Sequence, residues 1–174
     1  MQNLAVRTVL FCLFVAFLAA TVQAAEYYTK HSGDNRRGEP QEGHALVYVF
    51  RPATMGAAIK TWAFVDDDLM MVSKPKAYSF AHVTPGKHLF WTKSENTSAM
   101  QLEVEAGKTY YLQVKIKMGF GKARAKILQI DEAEAQKYFE KCSYVEATEE
   151  GLARAVEIVA NRKQRAENKV AEGE

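Results

Sequence analysis

Cysteine and histidine are scarce in this chain, and each scarcity removes a class of explanation. Two cysteines in 174 residues, Cys12 and Cys142, cannot build the disulfide framework that holds small secreted domains together. Stability must come from a hydrophobic core, and a chain of this length can bury one. Composition is otherwise ordinary, 48% hydrophobic and 25% charged, which excludes a disordered or multi-pass membrane chain. Neither sign of charge is in excess, since 23 Lys and Arg face 21 Asp and Glu for a formal net charge of +2. That balance is too weak to imply nucleic-acid binding. No Gly-x-Ser-x-Gly nucleophile turn occurs. His31 and His44 stand in or beside a polar arm with no second ligand at metal-binding spacing.

One apolar run is present, from Val9 to Ala20, preceded by a single cation, Arg7. It ends at Val22-Gln23-Ala24, which places small residues at the −3 and −1 positions of a cleavage site. Residues 1–24 therefore read as a secretory signal peptide, and the protein is expected to be periplasmic or secreted. The alternative is a retained membrane anchor, because Thr8 to Ala25 is just long enough to cross a thin bilayer. Cys12 lies inside the run without the small residues of a lipobox before it. Cleavage would leave Cys142 as the one thiol and exclude an intramolecular disulfide.

Residues 25–43 are polar and turn-rich, and read as a linker or loosely held arm. Residues 44–130 alternate β-type runs with glycine, proline or acidic turns, about eight short strands in all. "ALVYVF", Ala45 to Phe50, is apolar on both parities and suits a central strand. Tyr110, Leu112, Val114, Ile116 and Met118 share one face of a later strand, with Gln113, Lys115 and Lys117 on the other. One dry and one wet side imply antiparallel pairing. The expected fold is mainly β, an antiparallel sandwich of the transthyretin-like or PEGA-like kind. Residues 131–174 add one or two helices. Asp131 and Glu134 make a capping-box spacing, and Ala135, Tyr138, Phe139 and Cys142 form an apolar stripe. Thr148 can cap a second helix, whose stripe is Leu152, Ala155, Val156 and Val159.

The turns invite chemical readings that their geometry does not support. In "VTPGKHLFW", Pro85 and Gly86 supply the φ values of a tight turn. A hairpin here pairs Val83 with His88, His82 with Leu89 and Ala81 with Phe90, so His82 and His88 point to opposite faces and cannot share a metal. His88 is then structural. Gly107-Lys108-Thr109 lacks the upstream glycine and the following helix of a phosphate loop, so Gly107 marks a turn. Gly119-x-Gly121 lacks a third glycine and implies no dinucleotide. Asp66-Asp67-Asp68 lacks the spaced oxygens of a calcium loop. Asn96-Thr97-Ser98 matches a glycosylation acceptor that matters only in a eukaryotic secretory route. Catalytic residues, metal ligands and cofactors are thus not expected.

"ALVYVFRP", "YSFAHVTPGKH" and "LEVEAGKTYYLQVKIKMGFGKARAKILQIDEAEA" resemble, in order and spacing, a bacterial exported family, domain of unknown function 2846. The resemblance covers about Ala45 to Glu140 and implies an exported β-domain with a Pro-Gly-Lys-His hairpin and a Gly-Lys-Thr-Tyr-Tyr hairpin. It transfers no catalytic residue. Many relatives look lipid-anchored, whereas this chain lacks a lipobox.

The hairpin register places Tyr78, Phe80, His82, Leu89 and Trp91 on one face, with a second apolar face behind it. One face belongs to the core, and the other needs a covering helix or a ligand such as a protein partner or glycan. The functional expectation is an exported, non-enzymatic binding or scaffold module of the bacterial envelope. Its partner would be an envelope protein or glycan, with no nucleic acid, and with membrane only if the N-terminal segment is retained. The alternatives are a hydrolase of envelope polymers using Asp66 to Asp68 or Glu103, and a membrane-tethered accessory subunit.

Overall fold

A computed structural model describes residues 26–33, 36–118 and 123–171. The proposed signal segment, Cys12 and the Gly119-x-Gly121 stretch lie outside the described residues. Two sheets pack face to face. The larger has the order β1 (Tyr28–His31), β10 (Ser143–Ala147), β5 (Ala77–Val83), β2 (Ala45–Arg51), β8 (Thr109–Met118), β9 (Ala123–Ile130). The smaller runs β4 (Asp68–Ser73), β3 (Thr61–Val65), β6 (Gly86–Lys93), β7 (Thr97–Val104). Helices α1 (Glu132–Phe139) and α2 (Glu149–Ala171) follow. The fold is the expected mainly β sandwich with C-terminal helices.

Between the sheets lies a core of Val47, Val49, Val65, Met71, Phe90, Val104, Leu112, Val114 and Ile127. The outer faces are also dry. On the six-stranded sheet, Tyr48, Phe50 and Tyr78 pack beneath Ala135 and Phe139 of α1. On the four-stranded sheet, Trp62, Phe64 and Trp91 pack beneath Ala155 and Val159 of α2. This is why "ALVYVF" is apolar on both parities: β2 sits between β5 and β8 and is buried on both sides.

Both helix starts form as their sequences imply. Asp131 Oδ1 accepts from the Glu134 N–H at 2.7 Å, and Thr148 Oγ1 accepts from the Gly151 N–H at 3.1 Å. The α2 stripe is narrower than periodicity suggests. Ala155 and Val159 are buried, whereas Leu152 is 52% and Val156 70% exposed. Cys142 lies just past the end of α1 and is buried.

Three expectations need correction. Pairing is not antiparallel throughout, since β2 pairs parallel with β8, and β10 parallel with β5. The β2–β8 pairing spans only Thr109 to Gln113, where the outer face is covered: Tyr111 stacks on Tyr48, and Gln113 donates to the Tyr138 hydroxyl at 3.0 Å. The wet face that suggested an antiparallel strand begins at Lys115, where β8 pairs with β9 alone.

The Pro85-Gly86 turn is not a hairpin. β5 belongs to the six-stranded sheet and β6 to the four-stranded one, each already paired on both edges. The turn is a corner between layers, and Gly86 takes φ +135° there. Gly107, at φ +75°, makes a second such corner between β7 and β8. A short loop fixes the distance between strand ends, and hydrogen bonding elsewhere decides whether those strands pair.

The arm over 25–43 is no loose linker where it is described. β1 pairs antiparallel with β10 through four registered residues. Residues 36–40 lie along the aromatic outer face of the six-stranded sheet.

Candidate functional site

The five residues of the expected aromatic patch are divided between opposite outer faces of the sandwich. Tyr78, Phe80 and His82 belong to β5, and Leu89 and Trp91 to β6. Tyr78 and Trp91 are fully buried, each under a helix. A single open aromatic surface is therefore not formed. Trp91 stacks on Phe64 with centroids 4.1 Å apart and 9° between planes, and the Arg162 guanidinium lies 4.5 Å from its ring centroid.

What covers the β5 face, besides α1, is the chain's own arm. Tyr78 donates its hydroxyl to the Arg36 carbonyl at 2.7 Å. The Gly38 N–H donates to the Tyr48 hydroxyl at 2.9 Å, and His82 Nε2 donates to the Glu39 carbonyl at 2.7 Å. Arg37 lies over Phe139 at 3.2 Å, and Arg36 over Tyr144 at 4.9 Å. Gly38 is required by approach: a Cβ there would stand 2.7 Å from Leu46 Cδ1 and 2.8 Å from Phe80 Cδ2. No local signal announces that residues 36–40 form this strap, because its partners Tyr78 and His82 lie about forty residues away.

At the corner between the sheets is an open depression of about 180 Å³, lined by His44, Val65, Asp66, Asp68, His82, Val83, Thr84 and His88. His82 and His88 thus border one hollow rather than opposite faces of a hairpin. Asp66 occupies the two-residue β3–β4 turn at φ +50°, a left-handed conformation that Asp tolerates. Its Oδ1 accepts from the Leu89 N–H at 2.9 Å, and its Oδ2 meets His88 Nδ1 at 2.6 Å. Its carbonyl accepts from Trp91 Nε1 at 2.7 Å, and its N–H donates to the Leu89 carbonyl at 2.8 Å. Every polar atom of Asp66 is thereby bound to β6.

Burial pushes the Asp66 carboxyl up. The Leu89 N–H, the His88 hydrogen bond and the charges of His88 and Arg162 outweigh it, and hold the group below the ordinary carboxylate value. His88 Nε2 meets the Thr84 carbonyl at 2.8 Å. Both ring nitrogens therefore face oxygen atoms, and the ring is held at both ends. His88 thus links the Thr84 carbonyl to the Asp66 turn, and its partner Asp66 was hidden in what reads as a solvated acidic turn.

The chemistry available in this hollow is limited. His44 Nδ1 lies 3.0 Å from the Glu42 carbonyl. Among the described residues no three His, Cys, Asp or Glu side chains are placed to hold a metal. Glu103 stands exposed on β7 opposite Lys87, across β6 from the Asp66 turn. The hollow is also smaller than the several hundred Å³ typical of small-molecule pockets.

Elsewhere, two polar side chains serve the frame. Arg51 is fully buried and donates to the carbonyls of Ile59 at 2.6 Å, Ser73 at 2.8 Å and Gly56 at 2.9 Å. Burial lowers its pKa to about 10. The Asn96 side chain pairs with both backbone groups of Ala125, at 2.6 and 2.9 Å, which ties the β6–β7 turn to β9 of the other sheet. Burial raises the Cys142 thiol to about 12.

The family described as protein of unknown function (DUF2846) matches residues 41–127, which takes in the first corner, the second corner and most of both sheets. An uncharacterized protein of Haemophilus influenzae (strain ATCC 51907 / DSM 11121 / KW20 / Rd) is 28% identical over 123 residues, covering 70% of this chain and 73% of that protein. With the family matched across half of its length, in the region that builds the sandwich, the chain belongs to the DUF2846 family.

Proposed function

We propose that the protein is an exported, non-enzymatic binding or scaffold module of the bacterial cell envelope. The observation that carries this reading is how the polar groups at the sheet corner are used. Both Asp66 oxygens and both His88 nitrogens make bonds that join turns to strands. A general acid or base must be able to reach its substrate. The features left on the outside are surface features, among them Leu152 and Val156, one helical turn apart on α2. The apolar run before residue 25, with its small-residue exit, supports an exported location.

The test is cross-linked purification from the native envelope, with the Leu152→Glu/Val156→Glu chain alongside. Capture of one stoichiometric envelope component, lost in the folded double variant, is the expected result. Purified protein that binds no envelope protein, lipid or glycan would overturn the proposal. Turnover of wall polymers that disappears in Asp68→Asn or Glu103→Gln would replace it with a hydrolase. Sequencing of the mature N-terminus reads the location separately, and a chain starting near Ala25 is expected.

A further inference from the structure

The β8–β9 ribbon carries an arrangement that folding alone does not favour. In its antiparallel register Lys115 stands directly opposite Lys126, and Lys117 directly opposite Arg124. All four side chains are exposed. Cross-strand partners lie about 5 Å apart at Cα, and alternate residues on one strand about 7 Å apart. Four cations therefore occupy one small rectangle of sheet. Like charges set opposite each other destabilise a ribbon, and opposite charges would support it. Among the described residues none of the four forms an ion pair.

The rectangle lies on the outer face of the six-stranded sheet, past the region where Tyr111 and Gln113 meet Tyr48 and Tyr138. The rest of that face is covered by α1 and the strap, and this end is open.

We infer that this face docks on an anionic phospholipid surface, with the four cations as its contact. The inference rests on the reading of the protein as a binding module and names one ligand for it. Charge complementarity selects an anion, and shape selects the source. The cations stand side by side on the pleated ribbon, Lys115 beside Lys126 and Lys117 beside Arg124, with no aromatic residue in the register between them to stack a base. A plane of charge matches a plane of headgroups, where each basic residue near the surface strengthens binding about fivefold.

The experiment is co-sedimentation of the full chain with vesicles of phosphatidylcholine alone, or of phosphatidylcholine with one third phosphatidylglycerol. Wild type is compared with Lys115→Gln/Lys126→Gln and with Lys87→Gln, an exposed lysine on the other sheet. The readout is the excess binding to the anionic vesicles, so any insertion of the N-terminal apolar run, common to both vesicles, cancels. Wild type and Lys87→Gln should show a salt-sensitive excess, and the double variant should lose it by about twenty-five-fold. The same double variant should melt at the same temperature or slightly higher, because repulsion within the ribbon is relieved.

Equal binding to both vesicle types, or an excess unchanged in the double variant, would overturn the inference. So would a lower melting temperature, since that would show the cations to be structurally paired. Binding to inorganic polyphosphate without binding to anionic vesicles would also overturn it, in favour of a soluble polyanion. Failure in the vesicle assay alongside capture of a protein partner would remove this ligand and leave the binding-module reading standing.

Discussion

Asp66 and His88 meet at 2.6 Å, joining the β3–β4 turn to the start of β6 across 22 residues of sequence. The same carboxylate takes the next backbone N–H along β6, that of Leu89, so one side chain fixes both the position and the direction of that strand.

Asp66→Asn keeps the shape and loses the charge. It is expected to cost about 1–2 kcal/mol at neutral pH, the scale of charge-assisted hydrogen bonds at a partly exposed group. The pH dependence has a definite sign. The folded carboxyl is held below its ordinary value, so on acidification the unfolded chain takes up the proton first. The contribution is complete above about pH 4 and is lost as pH falls through the folded value. Urea melts of both proteins from pH 7 downward should show their stability difference shrinking below about pH 4. A constant difference across that range would contradict the assignment.

Gly151→Ala should reverse the usual rule for helices. Alanine in a helix is favoured over glycine by about 1 kcal/mol. Here a Cβ would lie 2.1 Å from the Tyr27 carbonyl oxygen, which is backbone and cannot swing aside. The variant should be destabilised, with the Glu26–Tyr27 segment released from the Thr148 cap, where Thr148 Oγ1 donates to the Glu26 carbonyl at 2.6 Å. A higher melting temperature for Gly151→Ala would show that the N-terminal segment is not seated there.

Gly38→Val tests the strap. The added side chain would collide with Leu46 and Phe80 and lift residues 36–40 from the aromatic face. Overpacking of this kind costs about 1–3 kcal/mol. Trypsin should then cut after Arg36 or Arg37 faster than in wild type, while cleavage after Lys108, an exposed corner lysine, stays the same.

Cys142 should be unreactive in the folded protein. Its thiol is buried and raised to about 12, so almost no thiolate is present at neutral pH. Alkylation by iodoacetamide is expected to follow the unfolding equilibrium in a denaturant series, and non-reducing gels should show no disulfide-linked dimer of native protein. Rapid labelling without denaturant would place the thiol at the surface.

Local patterns in the chain carried a good deal of this architecture. The doubly apolar "ALVYVF" marked the central strand, because only a strand covered on both sides needs apolar residues at both parities. Asp131 and Thr148 marked the helix starts, because capping is a contact over three residues. Periodicity along α2 overstated its buried stripe, since a helix hides only what a neighbour covers, and Leu152 and Val156 stay more than half exposed.

Strand partnership was beyond local reach. A turn such as Thr84-Pro85-Gly86 needs the same residues whether its strands pair or pass into different layers, and the choice rests on β2, β3, β7 and β10. The strap and the Asp66–His88 contact both depend on that choice. Short-range chemistry settled which segments extend, coil and turn. The hydrogen-bond partners of each strand, supplied by distant parts of the chain, settled which side chains meet.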